Sequence, residues 1–302
     1  MRDWRESGHT APEGFHPTTT KAVSEELSYF GGWLEPFDDS DAILFSLTPS
    51  GLSVLFEEPG KIVSFDATAD GKVIWLLWSA LSSHKFEGSD YGVFRSLDGG
   101  RTWNEGFPVE VASLTQILAV NDEEAWLLGS DTLLVTHNGG GIWEPVSAPG
   151  VRNSVNDRLA LNGPAVIILT QDAILASTNG GRQWERIDLG GNHVCAIEGG
   201  AFLVRRGREI HLGTRQKGKV VWVGAFQHDA KPIGIAAQGP TLQFLALPSY
   251  PEEHPGVLYF STQDAGQSWD IRLLPGRVIE GSSYLSSAGG AMVGQDRKLY
   301  LL

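Results

Sequence analysis

One cysteine, two methionines and no long apolar run are all that 302 residues offer of three kinds of raw material. Cys195 has no second cysteine to pair with, and within the apolar stretch His193 to Ile197 it reads as a small hydrophobe rather than a reactive thiol. No segment approaches the roughly 18 apolar residues that cross a bilayer as a helix, and there is no collagen triplet or heptad run. Basic charge is scarce too: 23 Lys+Arg face 36 Asp+Glu, a formal net charge of −13. Such a field repels phosphate backbones, which argues against a nucleic-acid partner and favours a basic protein, although acidity also serves solubility. The opening residues MRDWRESGHTAPEGFHPTTT hold no apolar signal-peptide core, so a cytoplasmic location is expected.

Signatures of chemistry are equally thin. The eight histidines show no H-E-x-x-H or other paired ligand spacing, and His193 and His211 fall on predicted strands, where a hydrogen-bonded structural role is expected. Gly99-Gly100 and Gly139-Gly140-Gly141 open predicted hairpins rather than helices, which removes the helix dipole that a phosphate loop needs. No metal, cofactor or catalytic residue is assigned.

Two residue types are abundant: Gly 37 and Trp 10. Their arrangement is periodic. Ser96-Leu97-Asp98-Gly99-Gly100-Arg101-Thr102-Trp103 is followed by Thr136-His137-Asn138-Gly139-Gly140-Gly141-Ile142-Trp143 and by Ser177-Thr178-Asn179-Gly180-Gly181-Arg182-Gln183-Trp184. A fourth copy reads Thr262-Gln263-Asp264-Ala265-Gly266-Gln267-Ser268-Trp269. The tryptophans lie 40, 41 and 85 residues apart, so the last gap spans two periods; Thr214 to Gly218 with Trp222 is a worn copy, and Ser46 to Gly51 a weaker candidate. A period near 40 residues is the size of four short strands, one propeller blade.

Short β-rich runs bounded by turn residues precede each copy, giving five complete four-strand units. The C-terminal stretch supplies three more runs, Ser283 to Leu285, Ala291 to Val293 and Lys298 to Leu302. A strand from Ala42 to Leu47 or Leu52 to Glu57 is expected to complete that blade and close the ring, abolishing an open sheet edge. The expectation is an all-β, six-bladed β-propeller of four-stranded antiparallel blades, ring closed by N- and C-terminal strands, with seven blades as the alternative. Residues 1–26 read as a polar tail and 27–302 as one propeller domain.

The pattern S/T-x-D/N-x-G-x-S/T-W resembles the Asp box, or BNR repeat, of sialidases, photosystem II assembly factors and sortilin-type receptors, over about residues 40 to 302. Its physics is local: the Asp or Asn accepts from nearby backbone N–H groups, the Gly supplies positive φ, the hydroxyl fastens the turn and the Trp packs into the blade. Recurrence in blade after blade makes these residues scaffold. The resemblance implies that Asp98, Asn138, Asn179 and Asp264 are not general acids. A sialidase site would further imply an arginine triad and an N-terminal F/Y-R-I-P motif, which this chain lacks.

Loops on a rigid scaffold concentrate binding residues. The two longest second-to-third-strand loops are Ser79 to Tyr91, with His84, Lys85, Phe86, Glu87, Asp90 and Tyr91, and Pro248 to Gly256, with Tyr250, Glu252, Glu253 and His254. In a six-bladed ring they flank the closing blade and rise side by side, joined by Glu57 and Glu58 in a loop between blades. This acidic, aromatic-anchored face suits a basic protein, with an immunity protein or an assembly factor as concrete forms, and the chain itself is expected to be a monomer. The alternative is a glycoside hydrolase or lyase of the sialidase-like superfamily with acids on that face. The acidic run Asp122-Glu123-Glu124, on the other face, is expected to be merely solvated.

Overall fold

In the computed structural model the chain is nearly all β, with 28 strands in seven four-stranded sheets. The described residues are 5–301 without 82–88, 112, 131, 149–157, 163–164, 171–172, 189–192, 199–200, 207–208, 217–218, 228–230, 239–240, 249–255, 265–266, 275–277, 287–288 and 295–296. Along much of blades V to VII only the backbone is described.

Blade I pairs Phe15–Ser24, Leu27–Leu34, Asp41–Thr48 and Gly51–Pro59; blade II pairs Lys61–Ala67, Ile74–Ser79, Tyr91–Ser96 and Phe107–Val109. Blade III is Leu114–Ala119, Ala125–Gly129, Leu133–Thr136 and Glu144–Pro145, and blade IV is Arg158–Asn162, Ala165–Leu169, Ala173–Ser177 and Glu185–Asp188. Blade V is His193–Glu198, Ala201–Arg206, Glu209–Gln216 and Lys219–Gln227; blade VI is Lys231–Gln238, Thr241–Leu247, Val257–Thr262 and Asp270–Leu274. Blade VII takes Val278–Ser286, Gly289–Gly294 and Lys298–Leu301 from the C-terminal end and its outermost strand, Arg5–Thr10, from the N-terminal end.

The β-propeller, its four-stranded antiparallel blades and its closure by the two chain ends agree with the sequence; the number of blades is that of the alternative, and the closing strand differs. There are seven blades rather than six, and Arg5–Thr10 closes the ring rather than Ala42 to Leu47 or Leu52 to Glu57, both of which lie within blade I. Residues 5–24, expected as tail, form two strands. The cause is physical. Arg5–Thr10 is a solvent-facing edge, and Phe15–Ser24 is an innermost strand whose three threonines suit β geometry without an apolar alternation.

The core is a chain of inter-blade layers. Seven buried clusters occupy the seven junctions, from Phe30, Phe45 and Val293 between blades VII and I to Tyr259, Met292 and Tyr300 between VI and VII. Middle strands are therefore covered on both faces. Ile74–Ser79, Ala125–Gly129 and Ala165–Leu169 are buried almost throughout, which explains why they read as continuous apolar runs. Innermost strands are also stitched across junctions by side chains: Thr18 Oγ1 donates to Ile62 O at 2.9 Å, Asp66 accepts from Ala119 N at 3.0 Å, and the Gln116 amide pairs with both backbone groups of Leu159 at 2.8 and 2.9 Å.

Candidate functional site: the loop face of blades I and II

The four repeated turns link the third and fourth strands of blades II, III, IV and VI, so they share one face of the ring. In each, the hydroxyl donates to the acid or amide oxygen two residues on: Ser96 to Asp98 at 2.9 Å, Thr136 to Asn138 at 3.0 Å, Ser177 to Asn179 at 3.1 Å and Thr262 to Asp264 at 2.5 Å. The same Asp or Asn oxygen accepts the backbone N–H of Thr102, Ile142, Gln183 or Ser268, each at 2.9 Å. Thr102 and Ser268 add hydroxyl donors to Asp98 and Asp264. These donors favour the ionised form, holding Asp98 at about 2 instead of the usual 3.8 and lowering Asp264 as well. Every acceptor oxygen is occupied in binding its own loop, the chemistry of a clasp rather than of a proton donor.

Three of the four tryptophans of these turns pack against the preceding blade rather than within their own. Trp103 meets Phe56 of blade I with centroids 5.2 Å apart, Trp143 meets Trp75 of blade II at 6.2 Å, and Trp184 meets Trp126 of blade III at 6.1 Å. Gly100, Gly140 and Gly181 sit at the same seams. Gly140 and Gly181 have φ of +96° and +80°, and a β-carbon on them would lie 2.8 Å from the Phe107 ring and 2.6 Å from Val146 Cγ1. Trp269 packs against Phe244 and Phe260 of its own blade, and Gly266 lies outside the described residues.

The two weaker copies differ from these four turns, and Lys217 and Gly218 of the second lie outside the described residues. Blade I joins Thr48 directly to Gly51 across a tight turn, and in blade V Trp222 is a strand residue paired with Gly213. The acidic run of blade III is no idle surface. Asn121 O accepts the Trp75 indole N–H at 2.8 Å, Asp122 O accepts the Arg95 guanidinium, Glu123 O accepts Gly139 N at 2.9 Å, and Glu124 accepts the Trp126 indole N–H at 3.0 Å. Its acids crown a turn that latches blade II to blade III.

The opposite face carries the second-to-third-strand loops and the connections between blades, and here the chain is not repetitive. Register places His16, Trp33, Ala42 and Glu58 in one row across blade I, and Lys61, Ser79, Tyr91 and Val109 in one row across blade II. The rows meet at the junction. The His16 ring stacks on Trp33 with centroids 4.0 Å apart and planes 7° from parallel, and His16 Nε2 lies 2.8 Å from Glu35 Oε1. Phe37, in a one-turn 3-10 helix (Phe37–Asp39), stands edge-on to Trp33 at 5.5 Å and 84°. Lys61 Nζ fills the angle between the two rings, 4.5 Å from the Trp33 centroid and 2.9 Å from that of Phe37. Phe37 is nevertheless 64% exposed, the most exposed large apolar side chain among the described residues.

Of the residues expected to bind a partner, Glu57, Glu58 and Asp90 are exposed and Tyr91 half-buried, all at this end of blades I and II. Glu57 and Glu58 belong to the strand Gly51–Pro59 rather than to a loop, because the pairing with Asp41–Thr48 runs on to Pro59. His84, Lys85, Phe86, Glu87, Tyr250, Glu252, Glu253 and His254 lie outside the described residues. The strands that carry the two long loops are in blades II and VI, separated by blades VII and I, so the extra blade removes the expected side-by-side placement. His16, Trp33, Glu35, Phe37 and Lys61 were not singled out by sequence. The available signal was Trp33 and Phe37 flanking a proline, an apolar pair where the chain must turn.

No family profile matches the chain, and no curated protein matches it in sequence. Solved structures do match. YCF48 bound to D1 peptide is similar at a TM-score of 0.66 and 13% identity, over 100% of this chain and 95% of that one. The WD40 β-propeller domain of Doa1 gives 0.62 and 12% over 100% and 97%, and a chain of the Mitotic Checkpoint Complex gives 0.61 and 13% over 97% and 96%. At such identities the likeness is one of fold, and the fold is the β-propeller.

Proposed function

We propose that this chain is a protein-binding propeller of the Asp-box type, and that the loop face of blades I and II receives a basic segment of another protein. The observation that carries this reading is the Trp33–Phe37 corner, an aromatic pair with Phe37 largely exposed on a rigid scaffold where register gathers acids. Interface hot spots are built this way, with aromatic anchors at the centre and polar groups at the rim. Glu35, Glu57, Glu58 and Asp39 are exposed around the corner, and the chain's net charge of −13 adds attraction at longer range. Propellers of similar fold are seen with partners, YCF48 with a D1 peptide and another within the Mitotic Checkpoint Complex.

The test is fluorescence anisotropy with labelled peptides rich in arginine and lysine, and with acidic peptides of equal length, in low and high salt. Basic peptides are expected to bind and to weaken as salt rises, since the Debye length shrinks to about 10 Å at 0.1 M. Glu57→Gln with Glu58→Gln should weaken binding, and Trp33→Ala with Phe37→Ala should weaken it more. Absence of binding by any basic peptide, or binding indifferent to all four substitutions, would overturn the proposal.

A further inference from the structure

Resting on that binding proposal and sharpening it, we infer that the Trp33–Phe37 corner is an arginine pocket which the chain's own Lys61 fills until a partner's guanidinium replaces it. Two perpendicular aromatic faces with an ammonium in their angle have the form of a cation site, and here the cation is internal. The anchoring is lopsided. Lys61 reaches across the junction from the first residue of its strand, whereas the rings belong to blade I and are braced by the His16 stack.

Arginine is the cation best suited to displace it. A guanidinium is less strongly hydrated than an ammonium, lies flat on an indole and offers several N–H donors in a fixed fork. Exposed acids at the same end of blade I, Glu35, Asp39, Glu57 and Glu58, supply carboxylates for those donors. A partner lysine would only exchange like for like. An internal occupant also explains how an open aromatic corner avoids indiscriminate association: each incoming side chain must first displace a cation, which lowers apparent affinity by the fraction of molecules whose pocket is empty.

The experiment labels the lysines of the whole chain with 13C-methyl groups and follows them by NMR. One resonance, absent from Lys61→Met, is expected upfield of the solvent position because of the two ring currents, and an arginine-rich peptide should return it to the solvent position. Lys61→Met should also bind that peptide about two- to fivefold more tightly, the reciprocal of an exposed cation–π contact. This gain should persist in high salt, where loss of a surface charge alone would have been screened. A lysine-only peptide should displace the resonance less than an arginine peptide at equal occupancy. A Lys61 signal without ring-current shift, a signal unmoved while the peptide binds, or no gain from Lys61→Met in high salt would overturn the inference while leaving the binding proposal standing. Failure of every basic peptide to bind would overturn both.

Discussion

The two faces of this propeller are built on opposite rules. On the box face the same clasp is made four times, its polar atoms are consumed in holding their own loops, and its tryptophans are spent in the seams between blades. On the loop face of blades I and II the described residues show no such repeat, Phe37 is left largely exposed and charges gather around it. Repetition answers a demand that each blade makes; singularity is what the proposed partner site requires. Damage to the first should therefore appear as lost stability, and damage to the second as lost binding.

The largest effect should come from Trp75→Ala. Trp75 is fully buried at the seam of blades II and III, faces Trp143 and donates to Asn121 O. Removing it should cost about 3–5 kcal/mol in chemical denaturation, as large-to-small core substitutions do. Next, Trp33→Ala with Phe37→Ala should weaken a basic peptide by tenfold or more, about 1.4 kcal/mol or above, with little change in the denaturation midpoint. A fall in stability comparable with that of Trp75→Ala would erase the contrast between the faces.

A smaller effect separates the boxes from one another. The Trp103 indole N–H donates to Leu55 O at 2.7 Å, whereas the indole N–H groups of Trp143 and Trp184 find no acceptor among the described residues. Trp103→Phe should thus cost about 1 kcal/mol more than Trp143→Phe or Trp184→Phe. Equal losses would show that the seam values the ring alone.

The smallest expected effect is a pH dependence confined to two of the four clasps. Asp98 and Asp264 have folded-state pKa values below the usual 3.8, so their ionised forms favour folding; that contribution is complete above about pH 4 and fades as pH falls towards 2. Asn138 and Asn179 make the corresponding amide-oxygen contacts with nothing to titrate. Asp98→Asn with Asp264→Asn should flatten the stability profile between about pH 4 and 2 while changing little at neutral pH. A profile as steep as that of the unsubstituted chain would place the acid sensitivity elsewhere.

Legibility followed the same division. The four repeated turns are legible because a clasp is a local device, its hydroxyl, acid or amide and glycine within a few residues of one another, and periodic tryptophans announce the blades. Blade I is not recognised as a complete blade because its innermost strand FHPTTTKAVS carries too little apolar pattern to be read without its neighbours, and the same holds for RESGHT, the edge that closes blade VII. That one omission moved the count from seven to six and brought blades II and VI one place too close. In Asp122-Glu123-Glu124 the first two acids are exposed as expected; what composition does not reveal is that their carbonyls accept from Arg95 and Gly139 and that Glu124 accepts from the Trp126 indole. Glu57, Glu58, Asp90 and Tyr91 lie at the end of their blades away from the repeated turns, since strand order decides at which end of a blade a residue falls.

Composition and period sufficed to establish an acidic, all-β ring of four-stranded units, because hydrophobic runs, turn residues and charge act over distances that the linear chain already defines. Only the tertiary structure decided that Trp33, Phe37 and Lys61 meet. Their strands lie in different blades, and the closeness of a ring to a cation across that junction depends on how two twisted sheets are rotated against each other, which no local pattern encodes.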